Sequence, residues 1–258
     1  MVNHPASTTA LMYDLARRRA ALTAGLGLLL MAVLAPLAHF GVLQNLIVST
    51  DAAATVENIR ASQGIFRVAI ATLLVVTFLD ILVAWALYVL LKPVHETLAM
   101  LVGWLRLAAP AVFAMALANL LDVAQLVDGT AGSAVQSEQL GAQVMASIAS
   151  FENGWDMSLA IFGLHLVGLG FLLFKSAHFP RFLSGLVVVA GAGYLADTFT
   201  TILAPDFEFT FSLFTFVGEA LLIVWLLLRA VKGFPSAATR TGTQVAAPGA
   251  AEPASLVS

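Results

Sequence analysis

Six apolar runs of 18 or more residues divide this 258-residue chain, at 20–43, 65–91, 97–127, 157–174, 182–203 and 211–228. A hydrocarbon core about 30 Å thick needs roughly 20 residues of helix, because backbone groups in lipid must pair within their own segment. Only 10% of the residues are charged and 60% are hydrophobic, with mean hydropathy +0.94. A soluble domain carries about 25% charge, so the chain lacks a water-facing surface of ordinary size. The expected fold is all-α: a polytopic, six-transmembrane-helix bundle over 20–230, with a cytoplasmic segment 1–19 before it. A disordered cytoplasmic tail, 231–258, rich in Ala, Pro, Gly and Thr, is expected after it. Arg17, Arg18 and Arg19 precede the first run as in a signal peptide, but the run is long and Pro36-Leu37-Ala38 is a poor cleavage site. A retained first helix is therefore expected. The third run is overlong, and its outer end, 119–127, is predicted to project as a wet helix.

Basic residues set the orientation. With six spans, Arg17, Arg18, Arg19, Lys92, Lys175, Arg181, Arg229, Lys232 and Arg240 share one side, and only Arg60 and Arg67 fall on the other. Both termini are thus expected in the cytoplasm, and the protein in the bacterial cytoplasmic membrane. Two short amphipathic helices are predicted on the outer side. One begins at Asp51, a good N-cap residue before Ala52, Ala53 and Ala54. In the other, Leu140, Val144, Ile148 and Phe151 recur at helical spacing, as in a helix lying on a membrane surface.

Charges within the spans are the candidate site, since each costs several kcal/mol in hydrocarbon unless paired or hydrated. Asp80 lies 12 positions before Lys92, a depth of roughly 18 Å at 1.5 Å per residue. Arg106, His165 and Glu219 each lie 10 positions from Glu96, Lys175 and Arg229, roughly 15 Å deep by the same rise. The four form one midplane layer. Asp80 and Arg106, on successive antiparallel helices, are expected to pair, and Pro110 leaves the carbonyl of Arg106 without its helical donor. His165 sits among Gly163, Gly168 and Gly170, which permit close helix approach. Ser212 and Thr215 share a face with Glu219 as a polar lining. Asp197, with Tyr194 and Thr201 one turn to either side, lies about 24 Å from the cytoplasmic side as a gate, second site or interfacial residue. His39 and Asp122 are expected near the outer boundary, within reach of water. Asp80, Glu219 and Arg106 leave one surplus negative charge, which a proton on a carboxyl or on His165 would balance.

Other chemistry is not indicated. Cysteine is absent, which removes disulfides and thiolate metal sites. There is no His-Glu-x-x-His zinc signature, no Gly-x-Ser-x-Gly elbow and no Gly-rich phosphate loop. No metal or cofactor is expected, and without a basic patch interleaved with aromatics neither is nucleic acid. The expected partner is the lipid bilayer; a small-molecule ligand fits the midplane layer, and oligomeric state is not legible.

Asp51-Ala52-Ala53-Ala54-Thr55-Val56-Glu57-Asn58-Ile59, Leu87-Tyr88-Val89-Leu90-Leu91-Lys92-Pro93-Val94, Phe162-Gly163-Leu164-His165 and Gly193-Tyr194-Leu195-Ala196-Asp197 carry a resemblance. In their order and spacing the chain resembles the bacterial membrane family described as domain of unknown function 4386, over roughly residues 15–230. The resemblance implies a six-helix integral membrane protein with the charged layer as a family pattern, and implies no activity. Three function classes follow. The first is a small-molecule or proton-coupled transporter with a midplane site. The second is a sensor or assembly subunit whose buried charges specify packing. The third is an intramembrane enzyme using His165 and a carboxylate as acid and base. A hydrated cavity reaching the layer favours the first and third; a dry, paired layer favours the second.

Overall fold

A computed structural model of the chain describes residues 5–129, 134–204, 211 and 216–234, with side chains from residue 12 and none for 134–136. The described residues are helical and form no strand. Helix α1 (Pro5–Ala38) continues through a π-helical turn, His39–Leu43, into Gln44–Leu46; α2 is Ala52–Ala61, α3 Gln63–Leu91 and α4 Glu96–Asp128. Then come α5 (Ala134–Lys175), α6 (Arg181–Leu203) and α7 (Val217–Lys232). Five of these helices are long and apolar enough to cross a membrane. The sixth apolar run appears as α7, whose 16 residues reach about 24 Å, short of a full crossing. Residues 212–215 upstream of it lie outside the described set, as does the tail from 235. Residues 5–19, expected as a segment before the bundle, are the first turns of α1.

The helices close a ring in chain order: α1 packs on α3, α3 on α4, α4 on α5, α5 on α6, α6 on α7, and α7 returns to α1. Local chemistry explains several boundaries. Pro36 interrupts the hydrogen-bond ladder of α1, the π turn follows within three residues, and Asn45 donates to the carbonyls of Phe40 (3.2 Å) and Gly41 (2.9 Å) there. Asp51 caps α2 as expected, its Oδ1 accepting from the Ala54 amide at 2.9 Å. His95 caps α4 in the same way, through Nδ1 and the Leu98 amide at 3.2 Å. Just before that helix Lys92 pairs with Glu96, which raises the pKa of the lysine by holding its charged form.

Two expectations for the outer side change. The segment 140–151 is not a separate surface helix but the first part of α5, which runs unbroken for 42 residues. Nor is 119–127 a wet projection, because Leu120, Val123 and Val127 are buried against Leu140, Val144 and Phe151. The same apolar stripe that reads as membrane-facing in isolation here buries against a neighbouring helix. Arg67 and Asp128 pair at this end and tie the start of α3 to the end of α4.

Two separate apolar cores result. One, at the end where most basic residues lie and called inner for that reason, draws on α1 and α3 to α7, with Ala21, Val83, Val102, Leu166, Leu183 and Leu222 among its members. The outer one joins the end of α1 to α2, α3, α4 and α5, through Leu43, Ile59, Leu73, Phe113, Leu120 and Phe151. Between them, on α3, α4 and α5, lie Thr77, Asp80, Arg106, Ser158 and His165, all buried and polar.

Candidate functional site: a buried guanidinium between two cores

Arg106 is 1% exposed, among the largest fully buried side chains of the molecule. A guanidinium is always charged and can only donate, so its surroundings are dictated. Its Nη2 lies 2.5 Å from Oδ1 of Asp80, the ion pair that equal depth on α3 and α4 anticipates. Its Nη1 lies 3.1 Å from Nε2 of His165 on α5. Its planar face sits over the ring of Phe162, 5.2 Å from the centroid. Nε and Nη2 have no hydrogen-bond acceptor among the described residues, Nη2 meeting Asp80 as an ion pair alone. Three helices are thus joined through one side chain.

The His165 tautomer follows from the donor inventory. Because Arg106 donates to it, Nε2 must accept; Nδ1 then carries the hydrogen and donates to the carbonyl of Val102 at 2.8 Å. His165 is therefore neutral in this arrangement. Of the two places for the balancing proton, a carboxyl or His165, this arrangement favours the carboxyl: a second positive charge on the ring would face the guanidinium with no acceptor between them.

Close approach of α5 and α6 brings in the rest. A Cβ on Gly163 would lie 2.8 Å from the Gly191 carbonyl oxygen, and one on Gly191 would lie 2.5 Å from that of Gly163. Only glycine fits on either side. Tyr194, one turn beyond Gly191, stands edge-on to Phe162 with centroids 5.7 Å apart and donates its hydroxyl to Oε1 of Glu219 at 2.8 Å. Glu219 occupies the first turn of α7, where the helix dipole favours a carboxylate. It is close enough to Arg106 and Asp80 for electrostatic interaction with both. Arg106 thus has two acidic side chains in its neighbourhood, one of them held by a tyrosine.

Of the expected residues, Asp80, Arg106 and His165 are in contact, and Glu219 joins through Tyr194. Ser212 and Thr215 lie outside the described residues. Asp197 does not enter the layer; its Oδ1 accepts from the Phe211 amide at 2.6 Å, anchoring the connection between α6 and α7. Ser158 donates to the carbonyl of Ala109 at 2.9 Å, three residues on from the Arg106 carbonyl that Pro110 leaves without its helical donor. His39 is not at a wet boundary but buried, its ring stacked on Trp155 with centroids 4.7 Å apart, because the outer part of α5 covers it. Phe162 and the Val102 carbonyl are partners that charge spacing alone could not reveal. The aromatic one turn before His165 was the available signal.

The site has little room. A void of about 10 Å³ lies beside His165, lined otherwise by residues such as Ala84, Leu87, Val102 and Leu172. That is at the lower limit for one water, and its wall offers almost no polar partner. Larger space, about 630 Å³ and open, lies at the outer end between α4 and α5, along Asp122, Gln125, Gln143 and Ser147. No group of His, Asp and Glu among the described residues is arranged to hold a metal ion.

Fold and site together define an all-helical protein, with five helices long and apolar enough to cross a membrane, closed in a ring around a buried, neutralised arginine. The chain belongs to the family described as Domain of unknown function (DUF4386), whose model matches residues 23–230. It is similar to an uncharacterized protein of Archaeoglobus fulgidus, 29% identical over 163 residues that cover 63% of this chain and 84% of that relative. No solved structure matches the chain.

Proposed function

We propose that the protein is an integral component of the bacterial cytoplasmic membrane, with six spans, α7 completing the sixth, and both termini inside. Its role in this reading is that of a membrane sensor or assembly subunit, in which the charged layer specifies how the helices pack. The observation that carries this reading is the dryness of the layer: Arg106 is 1% exposed, three groups surround it, and the adjoining void is about 10 Å³. A permease or intramembrane enzyme needs its polar groups to meet a solute or water. The layer as arranged admits neither. The open outer groove is where a small-molecule ligand of such a sensor would have room.

One observation favours a second reading. Glu219 stands at the start of α7, bonded to Tyr194, and an intramembrane carboxyl is the kind of group from which proton relays are built. Reconstituted protein in vesicles with an entrapped pH dye separates the two. An acid pulse is expected to cause no protein-dependent acidification of the lumen. Acidification that disappears in Glu219→Gln while the protein stays folded would establish the carrier instead.

A further inference from the structure

The inner end of the ring carries a second feature that the buried layer does not use. Arg18 donates to the carbonyls of Ala230 (3.1 Å) and Val231 (2.7 Å) and so closes the C-terminus of α7. On either side of that clasp a strip of aromatic rings runs between two guanidinium groups. Arg17 lies over Phe234 at 4.3 Å; Phe234 meets His178 edge-on at 5.7 Å; Phe179 is 6.5 Å from Trp225; and Arg229 lies over Trp225 at 4.3 Å. Among the described residues this end bears Arg17, Arg18, Arg19, Lys92, Lys175, Arg181, Arg229 and Lys232, against Asp14 and Glu96. Glu96 is taken by Lys92. No carboxylate among the described residues forms a salt bridge with Arg17, Arg18, Arg19 or Arg229.

Two donors at this strip are buried without an acceptor, Nε of Arg17 and Nε1 of Trp225. Buried polar groups are ordinarily bonded, so an unmet donor beside uncompensated cations points to an anionic acceptor. Phosphate chemistry fits a guanidinium fork, and its source could be a lipid headgroup or free phosphate. The surroundings select the lipid. Leu22 and Leu228, which follow Arg17 and precede Arg229 on the span side, are 42% and 44% exposed, apolar surface that suits acyl chains and does nothing for a soluble anion. Tryptophan flanked by arginine is also the composition of a headgroup-level belt.

We infer that the aromatic strip between Arg17 and Arg229 is a binding site for the phosphate of an anionic phospholipid. This rests on the reading above that this end lies at the membrane surface. The test uses the full-length protein in a neutral detergent, with bound lipid counted by native mass spectrometry. Phosphatidylglycerol is expected to be retained and phosphatidylcholine lost, and inorganic phosphate should not displace the lipid. Arg17→Gln with Arg229→Gln should retain roughly thirtyfold less phosphatidylglycerol. The Lys versions, which keep the charge but lose the fork, should fall between. Retention of phosphatidylcholine equal to that of phosphatidylglycerol, in wild-type protein alone, would overturn the proposal even if a variant failed to fold. So would undiminished retention in the folded Gln variant, and displacement by inorganic phosphate would make this a free-phosphate site. Retention in detergent does not depend on which way the protein faces. A reporter that places this end outside would therefore sink the orientation and leave the lipid site standing.

Discussion

Arg106 shows how far one residue can organise a bundle. A guanidinium removed from water is costly unless its charge is met, and breaking a buried pair leaves an uncompensated ion. Arg106→Met alone should therefore destabilise by about 3 kcal/mol or more, and Asp80→Leu alone by a similar amount. The two together should cost clearly less than their sum, because the apolar pair removes both charges at once. Thermal melts of the three variants in detergent check this, and additive losses would show that the two side chains do not act as a pair. The pair was legible from the chain, since two charges at matched depth on successive helices have few other partners. The neutrality of His165 was not. It depends on which nitrogen faces Arg106 and on the Val102 carbonyl behind the ring, and spacing along one helix carries no information about either.

At the scale of the helices, glycine decides what meets what. Gly163 and Gly191 bring the backbones of α5 and α6 together, and Tyr194 reaches Glu219 from that crossing. Gly191→Leu should force the helices apart and cost about 1–3 kcal/mol, the usual range for overpacking. It should also remove the Tyr194–Glu219 bond, visible as a changed Tyr194 ring resonance or a red-edge shift in tyrosine absorbance. An unaltered Tyr194 signal in the folded variant would mean that this crossing does not position it. The glycines around His165 suggested close packing, although not the partner. Boundaries were read less well where a helix outgrows the bilayer. Leu140, Val144, Ile148 and Phe151 make the same stripe whether they rest on lipid or on α4, and the structure sets them against Leu120 and Val123. Asp51, by contrast, was legible as a cap, because that role is settled within four residues.

For the whole molecule, the orientation proposed above from the uneven distribution of basic residues puts Ser258 in the cytoplasm. A reporter fused after it should be active only inside the cell, and an external signal would reverse the orientation. The all-helical class and most of the spans were readable from apolar length alone. The division into two cores was not, because it arises from which residues of separate helices share a level. That division gives α5 a mechanical part to play. It contains no proline and no break from Ala134 to Lys175, and at 42 residues it extends about 63 Å, contributing Val144 to one core and Leu172 to the other. The two halves are threaded on a common axle. A small turn imposed where α5 borders the outer groove has no joint in which to be lost. In the sensor proposed above it would arrive at His165, and beyond it at the inner rim, as motion of the same rod, so that an event on one side of the bilayer would be felt on the other while nothing passes through.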